Sequence, residues 1–361
     1  MLKLHRRAMM QPMHLALLHY TLPPVIGGVE RVIRDQAAAL RALGYEVQML
    51  TRHHGLDVDS FDAVIVHNVF TMPFDLEWTR ELTALAASTP HLRWINWVHD
   101  VAAVNPHYAH IVWQEPVPQA WHVAVSEVRR RDYVRATGLD KECIRVIPNG
   151  LDFAAVLGLS TRIAALRLWE HDLVLAHPTR LIRRKNIEHG IRVTAALQQA
   201  GYDVVYAITG APDPHQADGQ TYHHELKTLA AELGVTERVL FLGETGPLSD
   251  EDVRSLYVIA DALFFPSTGE GFGLPLLEAL AHRLPVFCSD LPVHHEVLGE
   301  GGMYFGTKSK ADEISAQIMH WHQTDTVIHH RRQLWREHDM VKICQEHLEP
   351  LLLAATATPI S

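Results

Sequence analysis

The chain reads as an α/β protein made of two Rossmann-like, doubly wound domains facing each other across a cleft. Three observations predict this. Short apolar strands alternate with helical periodicity along almost its whole length. The strand series restarts after the turn Asn149-Gly150. The 361 residues are enough for two domains of ordinary size, each with its own core.

Apolar runs place the first strands at 15–19, 46–51, 63–66, 94–98, 122–125 and 144–147, with helical patterns at 29–43, 76–87 and 127–137. After Asn149-Gly150 come an irregular stretch and a helix at about 161–169. A second series of strands follows at 173–176, 204–209, 239–242, 262–265 and 286–289, with helices at 187–199, 223–233, 249–259 and 273–282. The stretch 329–355 is helical, with apolar residues at Leu334, Trp335, Val341, Ile343, Leu348, Leu351 and Leu352. These elements divide the chain into a first domain at 1–155, a second at 156–328 and a C-terminal helix at 329–361.

Composition excludes several classes. Thirty-two Lys and Arg against 42 Asp and Glu give a net charge of −10. Nucleic acid is therefore not an expected partner, since neutralising phosphates needs a basic surface. A local basic patch for an anionic donor, or peripheral membrane contact, remains compatible with this balance. The three cysteines, Cys143, Cys288 and Cys344, share no metal or redox spacing and read as free thiols in a reducing cytoplasm. The leader Met1-Leu2-Lys3-Leu4-His5-Arg6-Arg7 is basic, but no long apolar region follows it, so it does not read as a signal peptide. No apolar run approaches the ~18 residues of a bilayer span. The 26 histidines include several adjacent pairs without metal-ligand spacing and are expected on the surface.

The densest chemistry lies at 264–280, Phe-Phe-Pro-Ser-Thr-Gly-Glu-Gly-Phe-Gly-Leu-Pro-Leu-Leu-Glu-Ala-Leu. A buried strand runs into a Gly-rich turn and then a helix with Pro275 in its first turn, where proline is tolerated. Gly271 and Gly273 let backbone amides of Phe272 and Leu274 approach a ligand, and a helix N-terminus favours phosphate. Glu270 and Glu278 bracket that point and can accept hydrogen bonds from hydroxyls. At 23–31, Pro-Pro-Val-Ile-Gly-Gly-Val-Glu-Arg follows the first strand and opens a helix, so Gly27 and Gly28 can wrap an anion; the dinucleotide fingerprint is incomplete here. At 178–188, Arg180 and Lys185 follow a strand at the ligand edge of an open sheet, where cations can neutralise a departing diphosphate, while Arg183 and Arg184 are read as facing solvent. Asn96-Trp97-Val98-His99-Asp100 ends a strand of the first half, and Pro148-Asn149-Gly150-Leu151-Asp152 is a turn.

Glu270-x7-Glu278, Arg180-x4-Lys185, the glycine loop at Gly27-Gly28, His99 and the Pro-Asn-Gly-x-Asp turn occur in an order that resembles retaining glycosyltransferases of the GT-B fold, family 4. The resemblance covers about 27–291. It implies a metal-independent enzyme without cofactor that moves a hexosyl group from a UDP- or GDP-sugar to a hydroxyl acceptor. In this reading Glu270 holds sugar hydroxyls, Glu278 the ribose, and Arg180 and Lys185 the diphosphate. The amides of Gly271, Phe272, Gly273 and Leu274, with Gly27 and Gly28, complete the cradle. His99 lies near the transferred sugar, Asp100 faces the acceptor, and the last helix returns to the first domain. Asp57-Val58-Asp59 has the letters of a metal-binding Asp-x-Asp, yet follows a polar loop and reads as surface. A sugar-nucleotide epimerase of the same fold, or a non-catalytic nucleotide-sugar-binding protein, stands as the alternative.

Overall fold

The computed structural model describes residues 12–110, 117, 119–210 and 219–354. The basic leader at 1–7 lies outside them. The chain forms two compact units, Met1–Asp152 with Glu337–Ser361, and Phe153–Arg336.

The first unit holds six parallel strands, β1 (His14–Leu18), β2 (Glu46–Leu50), β3 (Ala63–His67), β4 (Arg93–Val98), β5 (Trp121–Ala124) and β6 (Ile144–Val146). Their order is β2-β1-β3-β4-β5-β6. Every residue of β3 is buried, because helices cover both faces of a parallel sheet. The helix Gly28–Ala42 buries Val32, Ile33, Ala37 and Leu40 against Leu15 and Leu17 on one face. On the other, the helix Leu76–Ser88 buries Trp78, Leu82 and Ala86 against Ala16 and Leu18. Strand order reverses between β1 and β3, which opens a crevice at their carboxyl ends.

The chain's last described residues complete this unit. Met340, Ile343, Cys344, Leu348, Leu351 and Leu352 are buried in the same core as Leu15 and Ile33. Leu151 N donates to His338 O (2.8 Å) and Met340 N to Leu151 O (3.1 Å). A Cβ on Gly150 would stand 2.8 Å from Met340 Cα, so this crossing of two segments requires glycine.

The second unit holds β7 (Leu173–His177), β8 (Val204–Ile208), β9 (Val239–Phe241), β10 (Ala262–Phe265), β11 (Val286–Ser289) and β12 (Gly302–Phe305), in the order β12-β11-β10-β7-β8-β9. All pairings are parallel. The order reverses between β7 and β10. Each unit is thus a doubly wound, Rossmann-like parallel sheet.

The divisions fall at 152/153 and 336/337 rather than at 155/156 and 328/329. The reason is the helix Thr326–Glu337, which stays with the second unit. Its Arg332, 1% exposed, donates to both oxygens of buried Asp261 and to the carbonyls of Leu168 and Ile259. Trp335 adds a ring contact with Phe153. The helix expected over 161–169 is also shorter. It ends at Ala164, and Arg167 in the left-handed region leads into a separate turn.

Candidate active site

The sequence-predicted residues of the second unit gather at its switch point. The loop after β7 carries Arg180 and Lys185, and the loop after β10 carries Glu270 to Gly273; β7 and β10 are hydrogen-bonded neighbours. The two loops are stitched together. Thr268 N donates to Arg184 O (2.8 Å), and Asn186 Nδ2 to Pro266 O (3.1 Å). Asn186 achieves this from the left-handed region, which asparagine tolerates.

At the centre lies Glu270, its side chain only 5% exposed. Lys185 Nζ meets Oε1 at 2.5 Å and Arg184 Nη1 meets Oε2 at 3.0 Å, while the same guanidinium donates to Gly269 O. Lys185 also stands over the Phe265 ring, 4.9 Å from its centre. Burial pushes the Glu270 carboxyl up, but the hydrogen bond and charge of Lys185, together with Ser267 and the hydrogen bond from Arg184, outweigh it, and the group is held below the usual carboxylate range. A buried, ionised carboxylate is thus presented at a point otherwise rich in positive charge.

Arg183 and Arg184 are both exposed, as expected from sequence; Arg183 pairs with Glu225, and Arg184, its side chain about half exposed, also reaches Glu270, a contact that the sequence does not announce. Arg180 is exposed at the start of the loop. The Thr179–Arg180 peptide lies so close to Gly210 that a Cβ there would come 2.1 Å from Thr179 O.

Beyond Glu270 the chain passes Gly271, with open space where a Cβ would stand, to Gly273 at φ +91. Gly273 is the residue before the helix Leu274–Ala281. Phe272 and Leu274 are exposed and Gly273 between them is buried, at a helix start whose first amides have no partner within the helix. Glu278, on the next turn, accepts from Tyr257 Oη at 2.7 Å, and the Tyr257 ring stacks on His282.

In the first unit, Gly27 precedes and Gly28 begins the helix Gly28–Ala42. Space around Gly28 is open, but a Cβ on Gly27 would strike Glu30 Oε2. Glu30 is buried at this helix end and accepts from Thr21 Oγ1 at 2.5 Å. An acid therefore already occupies the positive end of the helix. His99 follows β4 and is 7% exposed; Asp100 beside it is exposed. Asn68 Oδ1 accepts from the backbone N–H of both. His99 Nε2 lies 3.0 Å from His67 Nδ1, with the ring centres 5.3 Å apart, so the two rings meet edge to edge through these nitrogens. Burial lowers His67 well below the ordinary imidazole range and His99 to about 3, so both rings are neutral.

The expected surface placement of histidines is overturned in part. The pairs His53-His54 and His329-His330 are exposed. Among the described residues, however, His19, His67, His99, His122, His177, His294 and His322 are buried. His19, His67 and His99 sit at the carboxyl ends of adjacent strands β1, β3 and β4, a convergence that no local spacing reveals. Glu30, Asn68, Arg184 and Tyr257 were likewise not singled out from sequence. Asp57 caps a surface turn, accepting from Asp59 N and Ser60 Oγ. Among the described residues, no group of three or more His, Cys, Asp or Glu is placed to hold a metal ion, and no helix is long and apolar enough to cross a membrane.

Residues 162–336 match the family of glycosyl transferases group 1. The O-antigen chain mannosyltransferase RfbU of Salmonella typhimurium is 42% identical over 83 residues, which is 23% of each chain. The D-inositol 3-phosphate glycosyltransferase of Salinispora tropica is 29% identical over 212 residues, 55% of this chain and 40% of that one. The alignments thus span less than half the length of these relatives. Among solved structures, Anabaena Alr3699/HepE in complex with UDP and glucose aligns over 94% of this chain and 99% of that chain, at 20% identity and a TM-score of 0.39.

Proposed function

Because residues 162–336 match the group 1 glycosyl transferases, we propose that the chain belongs to that family and is a metal-independent, retaining enzyme of family 4 that moves a hexosyl group from a UDP- or GDP-sugar to a hydroxyl acceptor. Mannosyltransferases among the relatives favour a mannosyl group as the first donor sugar to test. The observation that carries the reading is the ionised, nearly buried Glu270 held by Lys185 and Arg184 beside the helix start at Gly273.

In this reading the diphosphate lies on the amides of Gly271 to Leu274, with Arg180 and Lys185 neutralising the charge that grows as the bond to the sugar breaks. Glu270 accepts from sugar hydroxyls and Glu278 from the ribose, its carboxylate oriented by Tyr257. By the resemblance, Gly27 and Gly28 of the first unit also serve donor binding. His99 faces the transferred sugar and Asp100 the acceptor. The acceptor oxygen bonds to the anomeric carbon on the face from which the phosphate oxygen leaves, and that oxygen takes the acceptor proton. Retention follows from the shared face. The site is a cytoplasmic one in this account, and peripheral membrane contact is compatible with it.

The experiment is a thermal-shift screen of UDP- and GDP-sugars followed by a transfer assay with any donor that binds. A donor that binds the native state raises its melting temperature. One nucleotide sugar is expected to stabilise the chain and to be consumed with release of its nucleoside diphosphate. Stabilisation by none, at millimolar donor, would overturn the proposal.

A further inference from the structure

We propose that His67 is a positioning residue that holds His99 as its Nδ1–H tautomer, so that His99 meets the transferred sugar as a hydrogen-bond donor and not as a base. The proposal rests on the reading of His99 as sugar-facing. Its own argument comes from proton placement within the first unit.

His67 Nδ1 and His99 Nε2 are 3.0 Å apart, a distance that requires one proton between them. Each neutral imidazole carries one N–H. Burial holds both rings neutral, which excludes an imidazolium bridging the pair. Two arrangements remain. In the first, His67 donates from Nδ1 to His99 Nε2, and its own Nε2 is a bare lone pair. In the second, His99 donates from Nε2, and His67 must carry its proton on Nε2.

The environment of His67 decides between them. That ring is fully buried, and among the described residues its Nε2 has no hydrogen-bond partner. The second arrangement would seal an N–H donor away from every acceptor among the described residues. Orphaned buried N–H groups are rarer in folded proteins than under-satisfied acceptors. The first arrangement leaves only an unused lone pair. His67 therefore donates, His99 accepts at Nε2, and the His99 proton resides on Nδ1, the nitrogen left to meet a ligand.

The rest of the strand end holds this orientation. Asn68, in the left-handed region at φ 61, accepts from His99 N at 2.9 Å and from Asp100 N at 3.1 Å, fixing the backbone beneath the ring. The His67 and His99 ring centres lie 5.3 Å apart, the separation of two imidazoles joined edge to edge through facing nitrogens. A sugar hydroxyl approaching His99 would thus find a pre-placed donor.

Two measurements test the proposal. Long-range 1H–15N correlation spectra of histidine-labelled wild type should show His99 protonated at Nδ1 and His67 at Nδ1. An Nε2–H tautomer for His99 would overturn the proposal whether or not any donor is turned over, so this readout is separate from the proposed function. The second compares His67→Asn with His67→Phe. The asparagine amide can reproduce the Nδ1–H donor, whereas phenylalanine keeps ring volume but donates nothing. The asparagine variant should keep kcat within about twofold, and the phenylalanine variant should lose about tenfold in kcat with donor KM unchanged. Preserved kcat in His67→Phe with loss in His67→Asn would mean that the ring only fills space, and would overturn the assignment.

Discussion

Replacing Glu270 with alanine removes the one carboxylate around which the switch-point loops are charged. The side chain is 5% exposed and Lys185 12%, so this is a nearly buried ion pair in which Arg184, about half exposed, is the third member. Breaking a buried pair by removing one partner typically costs about 3–5 kcal/mol, because the other charge is left uncompensated. Here Arg184 can swing into water, while Lys185 is confined over the Phe265 ring, so the lower end of that range applies. At roughly 2–4 °C per kcal/mol for a unit of this size, the second unit should melt about 6–12 °C lower. Lys185→Ala should cost less, since Arg184 still neutralises Glu270. Transfer should fall further than stability suggests, by about a hundredfold in kcat/KM, because sugar hydroxyls lose their acceptor. Calorimetry of the two variants, with donor consumption measured well below the melting point, checks both parts. An unchanged melting temperature together with wild-type transfer in Glu270→Ala would refute the reasoning.

Gly273→Ala places a side chain at φ +91 and 2.9 Å from Leu276 Cδ1; a loss of about 1–3 kcal/mol and weaker binding of nucleoside diphosphate are expected, checked by calorimetry and titration. Tyr257→Phe removes the 2.7 Å donor to Glu278 and should raise donor KM a few-fold with kcat nearly constant; a change in kcat alone would contradict the ribose role. Chelation with EDTA should leave transfer intact, and loss restored by Mg2+ or Mn2+ would contradict the charge assignment to Arg180 and Lys185. His67, His99 and His122 are buried with lowered pKa values, His99 near 3 and His122 near 4. Their neutral forms stabilise the fold fully above the unfolded imidazole value of about 6.5, and that stability is lost as pH falls from there toward the folded values. Calorimetry should therefore show the first unit's transition falling as pH drops from about 6.5 to 4.

Much of the frame is legible locally. A fully buried parallel strand is a continuous apolar run, so Ala262–Phe265 and Val286–Ser289 carry the bounds expected from sequence. The glycine-rich turn and Pro275 place the helix start at Gly273 within one residue. The edge strand Gly302–Phe305 was not expected: it begins with glycine and is mostly half-buried, so it has neither an apolar run nor a clean alternation. The attachment of 326–337 to the second unit depends on Arg332 reaching Asp261, an interaction across 71 positions that no helical periodicity encodes. The contact of Arg184 with Glu270 and the pairing of His67 with His99 are illegible for the same physical reason. A charge run marks a solvated face until the partner strand is known, and histidines 32 positions apart become neighbours only once β3 is set beside β4.

The account's central claim is tested most directly by a crystal structure of the chain with UDP or GDP. The diphosphate should lie within about 3 Å of the Leu274 amide and the Lys185 ammonium, with ribose hydroxyls on Glu278. A nucleotide bound away from these groups, for instance in the groove lined by Arg162, Lys227 and Glu244, would contradict it.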